Sequence, residues 1–351
     1  MKKLVLTVLV LMMVGLSFAK LNVYAQMRMG WWYEMQDEEM TGGESRLVMQ
    51  NNLYSNSRFG AKFAMDKVSG QFEMGMKSPL NLRVLYGKYD LGFGRLVLGK
   101  TYTGFSDFAD QAVTCNWSFD DLLVGYGMLY DSTKNQIGLD LNNGFYIKMM
   151  EGAKMDPWSE GTAGIDNIIP KFNFGYKLKK DGLYLHPTFG FAMSNYNKDF
   201  SLYDDSVTAY AFALSGKKAF GKSYIKFQIN YGQNVRDYGL LGYQIPLASN
   251  DGTDIIDVTT MGGYLNFGMP VNEKIDLKAG VGYISSDSDL LADPNTAMST
   301  YLQCKYYLAK NALIIPEVGM TDDMEDGNGN DEGSLIYFGA KFQLNFSYDV
   351  K

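Results

Sequence analysis

From Leu21 to Met35 every odd position is apolar: Leu21, Val23, Ala25, Met27, Met29, Trp31, Tyr33 and Met35. The positions between them are Asn22, Tyr24, Gln26, Arg28, Gly30, Trp32 and Glu34. A period of two over that length predicts a β-strand with one apolar and one polar face. The same alternation closes the chain, where Ile336, Phe338, Ala340, Phe342, Leu344, Phe346 and Tyr348 oppose a polar set from Tyr337 to Ser347.

Between these ends the template keeps returning. Leu47 to Met65 holds one phase and reads as one long strand or two short ones. It is followed by Val68–Lys77, Asn81–Asp90, Gly94–Thr101, Asn135–Leu141, Phe145–Glu151, Ile169–Lys179 and Leu183–Met193. Then come Ser206–Lys217, Lys222–Gln233, Ile256–Gly268, Lys274–Ile284, Ala297–Leu308, Ala312–Met320 and Ser334–Tyr348. With Leu47–Met65 counted once the series has an even number of strands, sixteen. Asn142-Asn143-Gly144 and Lys180-Asp181-Gly182 are hairpin turns by composition. Short turns alternate with longer loops almost throughout, which predicts an all-β transmembrane antiparallel barrel with short turns on one rim and long loops on the other. A secreted β-sandwich buries its apolar faces against each other and does not require that alternation of connection lengths.

Lys2 and Lys3 precede an apolar run that ends in Ser17-Phe18-Ala19, small residues in the −3 and −1 places of a signal-peptidase site. The expected division is therefore a cleaved leader, residues 1–19, and a barrel domain, residues 20–351. A retained anchor is the alternative, disfavoured by the cleavage-like ending. No later stretch approaches the ~18 consecutive apolar residues of a spanning helix.

Composition fits this picture. There are 38 Gly, 25 Tyr and 21 Phe but 8 Pro, 2 Cys and one His, so aromatics suited to strands and membrane interfaces abound while catalytic and metal-binding residue types are scarce. No cofactor and no metal site is expected. The net charge of −7, or −9 without Lys2 and Lys3, argues against nucleic acid. Cys304 falls on an apolar phase, and both it and Cys115 read as unpaired.

Several stretches of the N-terminal half resemble a bacterial general porin. Ser57–Phe63 (SRFGAKF) is similar to that family's second strand, Val68–Met76 (VSGQFEMGM) to its third, and Leu82–Phe105 (LRVLYGKYDLGFGRLVLGKTYTGF) to its fourth and fifth strands and the start of the constriction loop. Asn135–Met150 (NQIGLDLNNGFYIKMM) looks like the next hairpin. The resemblance implies a sixteen-stranded outer-membrane barrel, usually a homotrimer, whose third loop folds into the lumen and through which small hydrophilic solutes diffuse passively. The implied surroundings are outer-membrane lipid and lipopolysaccharide. The family commonly ends on an aromatic residue, whereas this chain ends Asp349-Val350-Lys351.

Permeation chemistry would sit at a charged narrowing. Five of the six arginines, Arg28, Arg46, Arg58, Arg83 and Arg95, precede Tyr102 and read as lumen-facing, with Lys62 beside them. Lys100 lies in the apolar phase and reaches the lumen only through a bulge; otherwise it snorkels at the rim. Asp107, Asp110, Asp120 and Asp121 lie in the long stretch after Tyr102, so the expected constriction is a basic wall facing an acidic loop. Total charge and acidic outer loops lean the pore toward cations. The acidic loop Thr321–Gly333 has an EF-hand-like opening, but Asp331 stands where the glycine and Tyr337 where the closing glutamate are required. Asn51, Ser55 and Ser57 weaken the apolar phase of their strand and mark a candidate protein-facing patch. His186 lies on a polar phase with no sequence-adjacent Ser or Cys, which leaves little for an enzyme. A channel selective for sugars or organic anions and a non-conducting adhesive barrel remain alternatives.

Overall fold

The computed structural model describes residues 20–54, 56–76, 79–107, 109–110, 126–151, 165–196, 206–240, 249–250 and 255–350. The expected leader, Cys115, Asp120 and Asp121 lie outside the described residues. The strands are β1 (Lys20–Gln36), β2 in two segments (Arg46–Leu53 and Arg58–Met65), β3 (Val68–Gly75), β4 (Asn81–Asp90), β5 (Gly94–Tyr102), β6 (Thr133–Leu141), β7 (Phe145–Met150) and β8 (Ile165–Tyr176, continued by Leu178–Lys180). They continue with β9 (Leu183–Tyr196), β10 (Ser206–Phe220), β11 (Ser223–Gln233), β12 (Thr259–Pro270), β13 (Ile275–Asp287), β14 (Asn295–Ala309), β15 (Ala312–Asp322) and β16 (Ser334–Val350).

These sixteen strands form one antiparallel sheet that closes on itself. β1 pairs with β2 on one side and with β16 on the other, the latter from Leu21↔Val350 to Gln36↔Leu335. Closure leaves no edge with unpaired backbone groups, the condition a sheet must meet in lipid. A four-residue helix, α1 (Glu38–Thr41), follows β1 and is capped by the Asp37 carboxylate on the Met40 N–H.

Alternation dictates the two surfaces. Phe59, Ile137, Ile229, Leu302 and Phe338 are among many large apolar side chains exposed on the outside, a pattern that a water-facing surface would not tolerate but a lipid-facing one requires. Phe145 and Tyr176, with ring centroids 4.6 Å apart, and Phe220 and Phe267, 6.4 Å apart, belong to an aromatic girdle near the short turns. Those turns are tight: Asp181 and Gly182 both have positive φ, at 48° and 72°, as the two central residues of a twisted hairpin need. Cys304 is free, on the outer phase opposite Leu277.

The uninterrupted phase from Leu47 to Met65 conceals a break. β2 leaves the ladder between Leu53 and Arg58, and Tyr54 turns into the lumen, where its hydroxyl accepts from Trp32 Nε1 at 2.8 Å. Ser57 is buried against the Arg28 backbone, so it forms no part of an outer patch; Asn51 is exposed.

Candidate functional site

Both described limbs of the loop after β5 lie inside the barrel. The outgoing limb, residues 103–107 and 109–110, and the return limb, residues 126–131, lie against the inner faces of β8 to β14. Asn173 Oδ1 accepts from the Gly104 N–H, Asn266 Oδ1 from the Asp110 N–H, and Gln303 Nε2 donates to the Asp110 carbonyl. On the way back Ser299 Oγ accepts from Tyr126 N–H and Gln228 Oε1 from Leu129 N–H at 2.7 Å. Phe105 and Leu129 pack with Val235 and Tyr238 over the small lumen residues Ala209, Ala211 and Ala213. Gly127, at φ 81°, touches the wall so closely that a Cβ there would strike the Tyr283 carbonyl and the Gly263 N–H.

Two carboxylates pin this loop. His186 Nδ1 donates to Asp107 Oδ2 at 2.5 Å, and Tyr184 donates to the same carboxylate at 3.3 Å. Asp110 accepts from the Tyr224 hydroxyl, with Lys226 Nζ at 3.5 Å and Lys278 Nζ at 3.7 Å. Burial works to raise both carboxyls, but His186 beside Asp107, and Lys226 and Lys278 beside Asp110, outweigh it and hold both below the usual carboxylate range. The described acids of the loop therefore meet histidine and lysines on the wall behind it, partners separated by 79 to more than 100 positions in sequence.

The arginines do not form one tier. Arg58 and Arg83 converge on Glu73, at 3.4 and 3.0 Å, and Glu73 also accepts from the Tyr24 hydroxyl at 2.7 Å. Arg28 lies beside this group through the Ser57 contact with its backbone. Arg83 shares the outward phase of Leu85 and Tyr89; the register slips between Glu73↔Val84 and Met74↔Leu82, and this bulge turns it inward. Lys62 stands nearer the short turns, 5.7 Å over the Tyr24 ring. Arg46 pairs with Gln36 at the long-loop end and Arg95 with Asp90 beside a short turn, so both are remote from Glu73 along the axis. Lys100 is half-buried, in register with the exposed Leu85 and Asn135, and forms no ion pair among the described residues. Tyr130, on the return limb, is the described loop residue facing the arginines: burial pushes its hydroxyl up to about 12, and Arg83 and Arg58 are close enough to oppose that rise.

The single histidine has richer surroundings than its sequence neighbourhood discloses. Its Nε2 lies 2.8 Å from the Tyr146 hydroxyl and 3.1 Å from Thr188 Oγ1, so Asp107, His186 and Thr188 follow the order of a hydrolase relay. Thr188 is only 3% exposed, and its hydroxyl is also bonded to Tyr146 at 2.9 Å. A substrate carbonyl has no approach to it. The chemistry of this group is that of a latch.

No protein-family model matches the chain, and no curated protein matches its sequence. Solved structures do match its fold. The outer-membrane channel DcaP of Acinetobacter baumannii aligns with a TM-score of 0.72 and 16% identity, over 95% of this chain and 99% of that one. OmpT of Vibrio cholerae in its trimer form gives 0.59 and 15%, over 94% and 100%. An anion-selective porin from Comamonas acidovorans gives 0.58 and 14%, over 93% and 100%. The chain has the porin fold, a closed sixteen-stranded barrel of outer-membrane type.

Proposed function

We propose that the chain is a passive diffusion porin, a water-filled channel for small hydrophilic solutes and ions. The observation that carries this reading is the loop after β5. It is hydrogen-bonded to β8, β11, β12 and β14, so it narrows one side of the lumen while the Arg28, Arg58 and Arg83 face of β1, β2 and β4 stands across from it. Solutes pass between the two. Arg58 and Arg83 are the strongest members of the basic wall, with Arg28 beside them and Lys62 beneath; Asp107 and Asp110 act by fixing the loop.

The structural likeness to outer-membrane channels and porins supports placing the barrel in a bacterial outer membrane, with the short turns in the periplasm. A homotrimer surrounded by lipid and lipopolysaccharide agrees with the trimeric form of one structural neighbour. Export would depend on a leader cut after Ala19. Catalysis is disfavoured by the sealed surroundings of His186.

Liposome swelling tests the reading. Vesicles carrying the folded protein should swell in isotonic sugars at rates that fall steeply from mono- to trisaccharide. Swelling no faster than in empty vesicles, with the barrel folded by heat-modifiable gel migration, would reject it.

A further inference from the structure

Six lysines of the lumen occupy one level. Lys62, Lys148, Lys177, Lys217, Lys226 and Lys278 each stand four positions from a residue of a short turn, respectively Asp66, Gly144, Asp181, Gly221, Lys222 and Lys274. At about 3.3 Å per residue along strands tilted by roughly 40°, that spacing sets a ring of ammonium groups about 10 Å inside the short-turn rim. Most are held over a tyrosine face. Lys62 lies 5.7 Å from the Tyr24 ring centroid, Lys148 and Lys177 lie 5.1 and 5.4 Å from that of Tyr146, and Lys217 is 3.6 Å from that of Tyr224. Such contacts fix a flexible ammonium in place without neutralising it.

The carboxylates near this level are engaged. Asp107 and Asp110 hold the loop, Asp140 pairs with Lys88 at 3.6 Å, and Asp276 accepts from the Tyr307 hydroxyl at 2.9 Å. Among the described residues Lys62, Lys177 and Lys217 form no ion pair. Three segments of the other rim are the reverse: residues 37–45, 287–294 and 322–333 contain many carboxylates and no lysine or arginine.

We infer that the short-turn half of the lumen is an anion vestibule, a ring of lysines seated on tyrosines that gathers solutes bearing carboxylate or phosphate oxygens. It gives the pore a preference for anions although the chain carries a net charge of −7. The reason is location. Charges inside a narrow, low-dielectric-walled passage focus their field on the solute, whereas rim carboxylates are screened within about 8 Å at physiological salt. This inference rests on the pore reading above and reverses the cation preference that total charge suggests.

The test is the reversal potential of single channels in a KCl gradient, followed by block with citrate, a tricarboxylate, added to either side. A peptide tag inserted between the exposed Gly42 and Gly43 reports the orientation. The wild-type protein should favour chloride over potassium, and citrate should block at lower concentration from the short-turn side. K62E/K217E should lower the chloride-to-potassium permeability ratio by at least about twofold, and the milder K62Q/K217Q by less. Open channels that favour potassium would overturn the anion vestibule while leaving the pore standing. Equal block from the two sides would overturn its placement. Folded protein without conductance would remove the pore reading itself.

Discussion

Glu73 is the carboxylate on which the basic wall depends. It is 2% exposed, it faces Arg58 at 3.4 Å and Arg83 at 3.0 Å, and it accepts from Tyr24 at 2.7 Å. Glu73→Gln keeps the shape and removes the charge. At an effective dielectric constant of ~20, each guanidinium loses about 4 kcal/mol of attraction at ~4 Å charge separation. Relief of the carboxylate's own desolvation returns several kcal/mol, and lumen water weakens the remainder. What persists is two guanidinium groups facing each other without a counter-ion, and a net loss of about 3 kcal/mol is expected, near the low end for breaking a buried pair. Urea unfolding followed by tryptophan fluorescence and heat-modifiable gel migration measures it. Arg58→Gln in the same background should recover part of the loss, because it removes the repulsion that Glu73 had quenched. If E73Q unfolds at the wild-type urea concentration, the three charges are independently solvated and the proposed organisation of the wall is wrong.

Releasing the loop should widen the passage: D107N/D110N leaves the strands untouched and should raise single-channel conductance with more frequent open-level noise, whereas unchanged conductance would mean that backbone contacts alone hold the loop. Gly127→Ala should act in the same direction, since its Cβ would meet the Tyr283 carbonyl on a backbone already at φ 81°; the readout is again conductance. Trp32→Ala removes a buried indole that packs edge-on against Tyr337 at 6.1 Å and donates to Tyr54, and should cost about 3 kcal/mol of unfolding free energy in urea. Burial, with Glu332, Asp322 and Asp37 nearby, pushes the Asp323 carboxyl up to about 7, so the folded loop binds its proton more tightly than the unfolded chain does. Stability from this group is complete below about pH 4 and is lost as pH rises to about 7; proteolysis of residues 322–333 should therefore be faster at pH 8 than at pH 5, and Asp323→Asn should flatten the difference.

The strands were legible because a half-lipid, half-water surface writes its period directly into the chain. Even the uncertain Leu47–Met65 segment resolves as one interrupted strand, and the interruption was invisible because Phe59 resumes the phase of Leu53 after Tyr54 has turned inward. What periodicity cannot carry is height along the barrel. Arg28, Arg58 and Arg83 meet near Glu73, yet Arg46 and Arg95 lie near opposite rims, a distinction that depends on which ends of their strands carry the short turns. Arg83 does face the lumen, but a bulge rather than its strand's regular phase turns it there. The partners of Asp107 and Asp110 lay beyond reach because His186, Tyr224 and Lys278 come from strands far along the chain. The lysine ring has a sequence signal, a lysine four positions from turn after turn, but that signal emerges only once the turns are placed.

Single-channel conductance of the refolded protein, residues 20–351, in a planar bilayer tests the central claim most directly. Discrete, ohmic openings are expected, in groups of three where the trimer survives. A barrel that inserts and resists heat as a folded species, yet leaves the bilayer sealed, would contradict the existence of a water-filled passage between the loop and the arginine wall.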